Sequence, residues 1–271
     1  MSANVLVVIG VGGIGQAIAR RLGPGKLVLL ADFSEATLDG AAEWLKIEGH
    51  QVVSRRVDVS SAESVNELAE AAGALGTVSA VAHTAGLSGA QASVKAILAV
   101  DLLGVALVLD KFGGLIGPGG AGVVIASMAG QLAPPFTAEQ EAALVRTPAE
   151  ELLGLPFINA DAITDSHAAY SMAKRANQIQ VAAASVAWGR RGARINSISP
   201  GIISTPQGQQ ELASGVGDRM RAMIDASAAK RIGTPDDIAS AAAFLLGPES
   251  NFITGTDLLV DGGVVAAIRW G

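Results

Sequence analysis

Six residues near the start of the chain, Gly10-Val11-Gly12-Gly13-Ile14-Gly15, restrict its fold more than any others. They follow an apolar run of strand length at 5–9 and open a stretch of helical periodicity at 14–22, the setting that gives a GxGxxG pattern meaning. Gly10 suits a tight turn, Gly12 lets backbone approach a pyrophosphate, and Gly15 lets helix and strand pack closely, with phosphate at the helix N-terminus. Gly13 and Ile14 complete this cofactor-binding turn. The bland alternative is an ordinary strand-to-helix connection. Asp32 weighs against it by ending the second apolar run about 20 residues further on, where an acid holds an adenosine ribose diol. A carboxylate there accepts from a 2′-hydroxyl and repels a 2′-phosphate, and Phe33 follows where an arginine would welcome that phosphate. The cofactor expected is therefore NAD. Asp58 and Val59 end the third run and are placed to meet the adenine, although Asp58 also reads as a helix cap.

Apolar runs recur at 5–9, 27–31, 52–57, 78–83, 122–126, 194–198 and 258–260. Helical patterns lie mostly between them, at 14–22, 35–48, 62–72, 93–112, 169–188 and 235–246. This rhythm predicts an α/β chain with a doubly wound parallel sheet. A composition 50% hydrophobic but only 4% aromatic suits aliphatic strands under alanine-rich helices. The 271 residues are expected to form a single Rossmann domain, 1–271, interrupted by a helical insertion at 131–167. Mean hydropathy is positive, yet no run of 18 apolar residues occurs, so no membrane span is expected. Met1-Ser2-Ala3-Asn4 leads straight toward the first strand without a signal-peptide pattern, which points to a cytoplasmic location. There is no cysteine, and the three histidines are scattered, so neither thiolate nor metal chemistry is expected. A net charge of −6 with dispersed basic pairs argues against nucleic acid as a partner.

Tyr170-Ser171-Met172-Ala173-Lys174 places a phenol and an ammonium one helical turn apart on the same face. A free phenol has a pKa near ~10, and a neighbouring cation favours phenolate, which makes the pair a proton-transfer device. A half-buried aromatic beside a solvated lysine is the competing reading. Together with the glycine turn, however, the pair resembles the short-chain dehydrogenase/reductase family along almost the whole chain. Supporting pieces are His83-Thr84-Ala85-Gly86, Ser127-Met128-Ala129-Gly130, Pro200-Gly201-Ile202-Ile203-Ser204-Thr205, Arg231-Ile232-Gly233-Thr234-Pro235 and Val260-Asp261-Gly262-Gly263. The resemblance implies a seven-stranded sheet ordered 3-2-1-4-5-6-7, NAD(P)-linked alcohol or carbonyl chemistry on a small molecule, and a homodimer or homotetramer. It assigns Tyr170 as catalytic acid/base, Lys174 as the cation that lowers its pKa and holds the nicotinamide ribose, and Ser127 as the group steadying the substrate oxygen. It places Thr84, Ala85, Gly86, Tyr170, Pro200, Gly201, Ile203 and Thr205 around the cofactor.

Three departures qualify that transfer. Ile9 stands where the family has threonine and the glycine turn is one residue shorter, so the phosphate loop is expected to sit differently. Asp101 occupies the place of the family's fourth catalytic residue, normally asparagine, and an ionised Asp101 beside Lys174 would make that cation more persistent. The insertion at 131–167 separates Ser127 from Tyr170 more widely than usual and resembles hydroxysteroid-dehydrogenase-like members. Within it, Thr137-Ala138-Glu139-Gln140 and Thr147-Pro148-Ala149-Glu150 each read as a capping box opening a short helix. Its apolar residues Pro134, Pro135, Phe136, Leu152, Leu153, Leu155 and Phe157 face a pocket for a bulky alicyclic or steroid-like alcohol, or simply anchor a hairpin. His167 reads as a helix-start surface residue. The function expected is an NAD-dependent interconversion of a secondary alcohol and a ketone. A non-catalytic dinucleotide-binding sensor and an epimerase or dehydratase are the competitors.

Overall fold

A computed structural model describes residues 3–90 and 92–271. Met1 and Ser2, which the sequence reading treats as a lead into the first strand, lie outside the described residues. The first half of the chain runs β1 (Asn4–Ile9), α1 (Gly13–Leu22), β2 (Leu27–Asp32), α2 (Glu35–Ile47), β3 (Gln51–Arg56), α3 (Ala62–Leu75) and β4 (Thr77–His83). Next come α4 (Val94–Ile97), a π-helical segment (Leu98–Leu103), α5 (Gly104–Leu115), β5 (Ala121–Ile125), α6 (Met128–Leu132), α7 (Ala138–Arg146) and a 3₁₀ turn (Ala149–Gly154). The remainder is α8 (Ser166–Gly189), β6 (Arg194–Pro200), α9 (Pro206–Leu212), α10 (Gly217–Ala226), α11 (Pro235–Leu246), β7 (Asp257–Val260) and α12 (Val264–Trp270).

All pairings within the seven-stranded sheet are parallel, in the order β3-β2-β1-β4-β5-β6-β7. The central strands carry unbroken apolar runs because both faces are covered; β1 is buried from Val5 to Ile9 and β5 throughout. One face packs on α3, α5 and α8, through residues such as Leu68, Phe112 and Trp188. The other packs on α1, α2 and α11, through Ile18, Leu38 and Ile238. The order reverses between β1 and β4, and the carboxyl ends of those strands open the crevice where ligands bind in such sheets.

The 131–167 segment forms a third apolar layer. Leu144, Leu152 and Ile158 are buried with Ile97, Leu98 and Leu102 of the α4–π segment and with Ala169, Ala173 and Ala176 of α8. Phe136 meets Phe157 edge to face at 5.9 Å. The expected hairpin is therefore helical, but one of its two capping boxes is not. Thr137 and Gln140 cap α7 reciprocally, whereas Thr147 ends α7 and Pro148 precedes the 3₁₀ turn. The helix expected over 93–112 is broken at its middle by the π turn, a change of hydrogen-bond register that apolar periodicity does not reveal.

Leu152 is 1% exposed at the centre of the third layer. Leu152→Ala removes buried methyl groups and leaves a cavity, a loss of about 2–5 kcal/mol. Urea unfolding of the variant should show that loss at an unchanged m-value.

Candidate active site

Helix α8 begins at Asp165, whose carboxylate accepts from the His167 backbone N–H at 3.0 Å. One turn in, Tyr170 is half-buried, and one turn further Lys174 is 3% exposed. The Lys174 Nζ lies 5.5 Å from the Tyr170 ring centroid and donates to the carbonyl of Ile125, at the end of β5, at 3.2 Å. Ser127 follows that strand as N-cap of α6, accepting from the Ala129 N–H at 3.1 Å. A Cβ on Gly130 would come within 2.7 Å of the Lys174 backbone, so this glycine lets α6 lie against α8, where Ser127 and Tyr170 line one cavity. The phenol is nevertheless pushed above its ordinary value. Burial is the largest cause, the Ser127 hydrogen bond pulls the other way, and the carboxyls of Asp101 and Glu211 add to the rise. The lowering expected from Lys174 does not enter this balance.

Asp101 sits in the π segment, fully buried. Its Oδ1 accepts from the Leu87 N–H at 2.9 Å, and its backbone carbonyl accepts from Asn177 Nδ2 at 2.7 Å. Burial pushes its carboxyl up, and Lys174 offsets only part of that rise. The carboxyl therefore holds its proton more tightly than an exposed one. No ion pair joins it to Lys174 among the described residues. Asp101 Oδ1 and Lys174 Nζ flank Gly86, 3.0 and 3.1 Å from the place a Cβ would occupy.

At the other end of the crevice, Gly10 has φ +89°, and a Cβ on it would lie 2.3 Å from the Ala85 nitrogen. A Cβ on Gly15 would lie 2.0 Å from the Gly10 carbonyl, so both glycines permit the close packing that the sequence assigns to them. Gly12 is the N-cap of α1, makes no side-chain cap bond and has open space around it. Bare N–H groups at a helix start, with no side chain in front of them, fit a pyrophosphate. The short turn lets α1 begin directly at Gly13, which packs against the Thr205 methyl. Asp32 Oδ2 accepts from the Val11 N–H at 2.7 Å and Oδ1 from the Ser34 N–H at 2.9 Å, so this acid also fixes the glycine turn.

Gly10, Gly12, Asp32, Phe33, Asp58, Val59, Thr84, Ala85 and Gly86 line a cavity of about 580 Å³. Asp58 caps as well, accepting from the Ser60 N–H at 2.9 Å. Ile14, Ser127, Tyr170, Lys174, Pro200, Gly201, Ile203 and Thr205 line a second cavity of about 480 Å³. Thr84, Gly86, Leu87 and Gln207 border both, which makes one groove across the strand ends. Gly13, Gly15 and Asp101 stand behind its walls. The C-terminal signatures buttress it: Ile203 bridges to Gly233, and Asp261 accepts from the Gly263 and Val265 N–H groups.

The insertion side chains Pro134, Pro135, Phe136, Leu152, Leu153, Leu155 and Phe157 do not line the groove. They had apolar spacing suited to either role: Phe136, Leu152, Leu155 and Phe157 join the layer packed on α8, whereas Pro134, Pro135 and Leu153 are exposed. Apolar lining comes instead from Leu87, Met128, Val216, Met220 and Met223, the last three at the start of or on α10, which sequence periodicity did not mark. Asp165 and His167 line the same cavity, so His167 faces the groove.

Residues 3–142 match the family model described as short chain dehydrogenase, and residues 136–265 the model described as enoyl-(acyl carrier protein) reductase. A short-chain dehydrogenase/reductase of Alternaria brassicicola is 46% identical over 272 residues, covering 98% of this chain and 97% of that protein. The cis-4-hydroxycyclohexanecarboxylate dehydrogenase of Sinomonas cyclohexanicum is 28% identical over 97% of each chain. A solved short-chain dehydrogenase/reductase of the glucose/ribitol dehydrogenase type from Brucella melitensis has a TM-score of 0.76 at 25% identity, over 97% of this chain and 99% of that one.

Tyr170 is the only tyrosine of the chain, so its ionisation can be read directly. The upward shift predicts that tyrosinate absorbance in the free protein is still nearly absent at pH ~10, where an ordinary phenol is half ionised. Half-ionisation at or below that pH would contradict the burial argument.

Proposed function

The chain belongs to the short-chain dehydrogenase/reductase family of oxidoreductases, and on that premise we propose that it interconverts a secondary alcohol and a ketone with NAD, using Tyr170 as acid/base. The observation that carries this reading is the convergence of Tyr170, Ser127 and Lys174 on a groove continuous with the glycine turn. Nicotinamide dinucleotide, when bound, supplies or accepts the hydride. The chain's residues manage the rest. The α1 N-terminus and the glycine turn hold the pyrophosphate, and Lys174 holds the nicotinamide ribose. Ser127 donates to the substrate oxygen, where negative charge develops. In oxidation, the alcohol carbon loses hydride and Tyr170 takes the hydroxyl proton; in reduction, Tyr170 returns a proton to the carbonyl oxygen.

Asp32 supports NAD, because its carboxylate lies in the adenosine cavity and repels a 2′-phosphate. One observation favours NADP instead: the Arg56 guanidinium stacks 4.6 Å over the Phe33 ring, bringing a cation to the same end of the groove. We read this pair as a platform for the adenine. The apolar wall of Met128, Met220 and Met223 suits a bulky alicyclic alcohol, in keeping with the ring substrate named for the Sinomonas relative. The insertion shares its buried layer with α4 and α8, which supports reading 1–271 as a single domain. Exposed Phe252, Leu259 and Trp270, in and around β7 and α12, offer apolar surface for the proposed homodimer or homotetramer. No described helix is long and apolar enough to cross a membrane.

The test is nicotinamide absorbance with NAD and NADP across cyclic and acyclic secondary alcohols and ketones, with Asp32→Ala beside the wild type. NAD-linked turnover best on cyclic substrates, with selectivity falling about tenfold or more in Asp32→Ala, is the expected result. Preferred use of NADP by the wild type would assign the adenosine end to Arg56.

A further inference from the structure

Helix α6, which Ser127 caps, has only five residues. A helix that short does not hold itself in place, so its position is set by what grips it from outside. Gly130 lies against the α8 backbone. The Gln131 carbonyl, at the helix end where carbonyls lack intrahelical partners, accepts from the Arg269 guanidinium of α12. The Gln131 side chain, one turn on from Ser127, donates from Nε2 to Asp257 Oδ2 at 2.7 Å. Asp257 opens β7 and is paired in register with Ser197 of β6. Its Oδ1 accepts from Ser197 Oγ at 2.6 Å, and Oδ1 and Oδ2 share the Ser199 hydroxyl at 2.9 and 2.8 Å. Ser199 Oγ in turn accepts from Gln178 Nε2 at 3.0 Å, and Gln178 Oε1 accepts from Arg175 at 3.1 Å. Gln178 lies on α8, one turn beyond Lys174.

We propose that Asp257 is a positioning residue for the reaction, acting through Gln131 to set where Ser127 stands relative to Tyr170. Neither Asp257 nor Gln131 lines the groove, so neither touches substrate or cofactor. The hydrogen bonds nevertheless converge on the Asp257 carboxylate from both catalytic helices, from α6 through Gln131 and from α8 through Gln178 and Ser199. Each bond has a fixed direction. Ser199 gives its one proton to Asp257 because its oxygen already receives the Gln178 amide, and the Arg175 contact turns that amide's NH₂ toward Ser199. Asp257 is thus the common acceptor, and bonds to a carboxylate are stronger than those to a neutral oxygen. The helix that follows Ser127 and the helix that carries Tyr170 and Lys174 are thereby tied to one point on the β6–β7 pair. Reacting groups tolerate little displacement, and a shift near ~1 Å costs up to about 10²-fold in rate. The inference rests on the proposed roles of Ser127 and Tyr170.

Gln131→Met, which removes the amide donor at similar length, tests this beside Asp257→Ala and Asp257→Asn. The expected result is a kcat lower by about tenfold or more in Gln131→Met and Asp257→Ala, with the KM for dinucleotide within about twofold of wild type. The two losses should not add, because both variants break the same bond. Asp257→Asn should recover most of the rate, since the Gln131 carboxamide can turn its oxygen toward the asparagine NH₂. In a Ser127→Ala background Gln131→Met should cost nothing further, which separates an effect through Ser127 from general loosening. If Asp257→Ala does not fold, Gln131→Met still decides. Wild-type kcat in Gln131→Met, or an equal loss with and without Ser127, would overturn the proposal. A second readout needs no substrate. Tyr170 is the only tyrosine, so carbon-13 tyrosine labelling reports on that ring alone. Its NMR signal should move in Gln131→Met, and a signal that stays at the wild-type position would contradict the coupling between α6 and the catalytic helix. The turnover arm rests on the proposed oxidoreductase function, whereas the NMR arm does not, so their failures are separable.

Discussion

The structure depends on how closely three strand ends approach at the point where the sheet order reverses. Gly10 donates its N–H to Ala31 at 2.7 Å, and its carbonyl accepts from Thr84 Oγ1. The Ala85 N–H reaches Ile9 at 2.9 Å, and Asp32 holds Val11. These bonds tie β1, β2 and β4 together at the cofactor turn. Any side chain on Gly10 or Gly15 would drive the backbones apart. With that knot closed, α1 presents its bare N-terminus to one half of the groove. Thr84 and Gly86 then border the other half, where β5 and α8 deliver Ser127 and Tyr170.

Most of this frame was legible in the sequence because it is written in short-range signals. Seven apolar runs became seven strands, and the glycine turn, Asp32, Ser127, Tyr170 and Lys174 all fall where their motifs place them. What escaped the sequence reading depends on which face a side chain presents. The insertion's leucines and phenylalanines had the right spacing for a pocket wall and for an anchor, and only packing on α8 distinguishes the two. The helices α9 and α10 are short and carry no chemical motif, yet Glu211, Met220 and Met223 line the cavity beside Tyr170. His83 is adjacent in sequence to a cofactor-lining residue and points the other way, into the sheet–helix interface.

The electrostatics of the catalytic helix run against a simple motif reading. A lysine one turn away favours phenolate, but the burial needed to exclude water disfavours it more strongly. Burial therefore keeps the Tyr170 phenol protonated to higher pH than an ordinary tyrosine. Use as a base requires the charge balance in the groove to change when cofactor and substrate fill it. Asp101 and Glu211 both push the phenol up, the first from a buried position and the second from the lining of the cleft. The protonation of Asp101 thus bears directly on the acid/base group.

On the proposed reading, Tyr170 transfers the proton, while the glycine turn and Lys174 supply most of the hold on the dinucleotide. Binding of NADH and hydride transfer to a cyclic ketone, measured side by side in the wild type and Tyr170→Phe, test it most directly. Dinucleotide affinity within about twofold of wild type and a transfer rate lower by ~10²- to 10⁴-fold are expected in Tyr170→Phe. Transfer that survives in Tyr170→Phe would contradict it, as would loss of dinucleotide binding in a variant that remains folded.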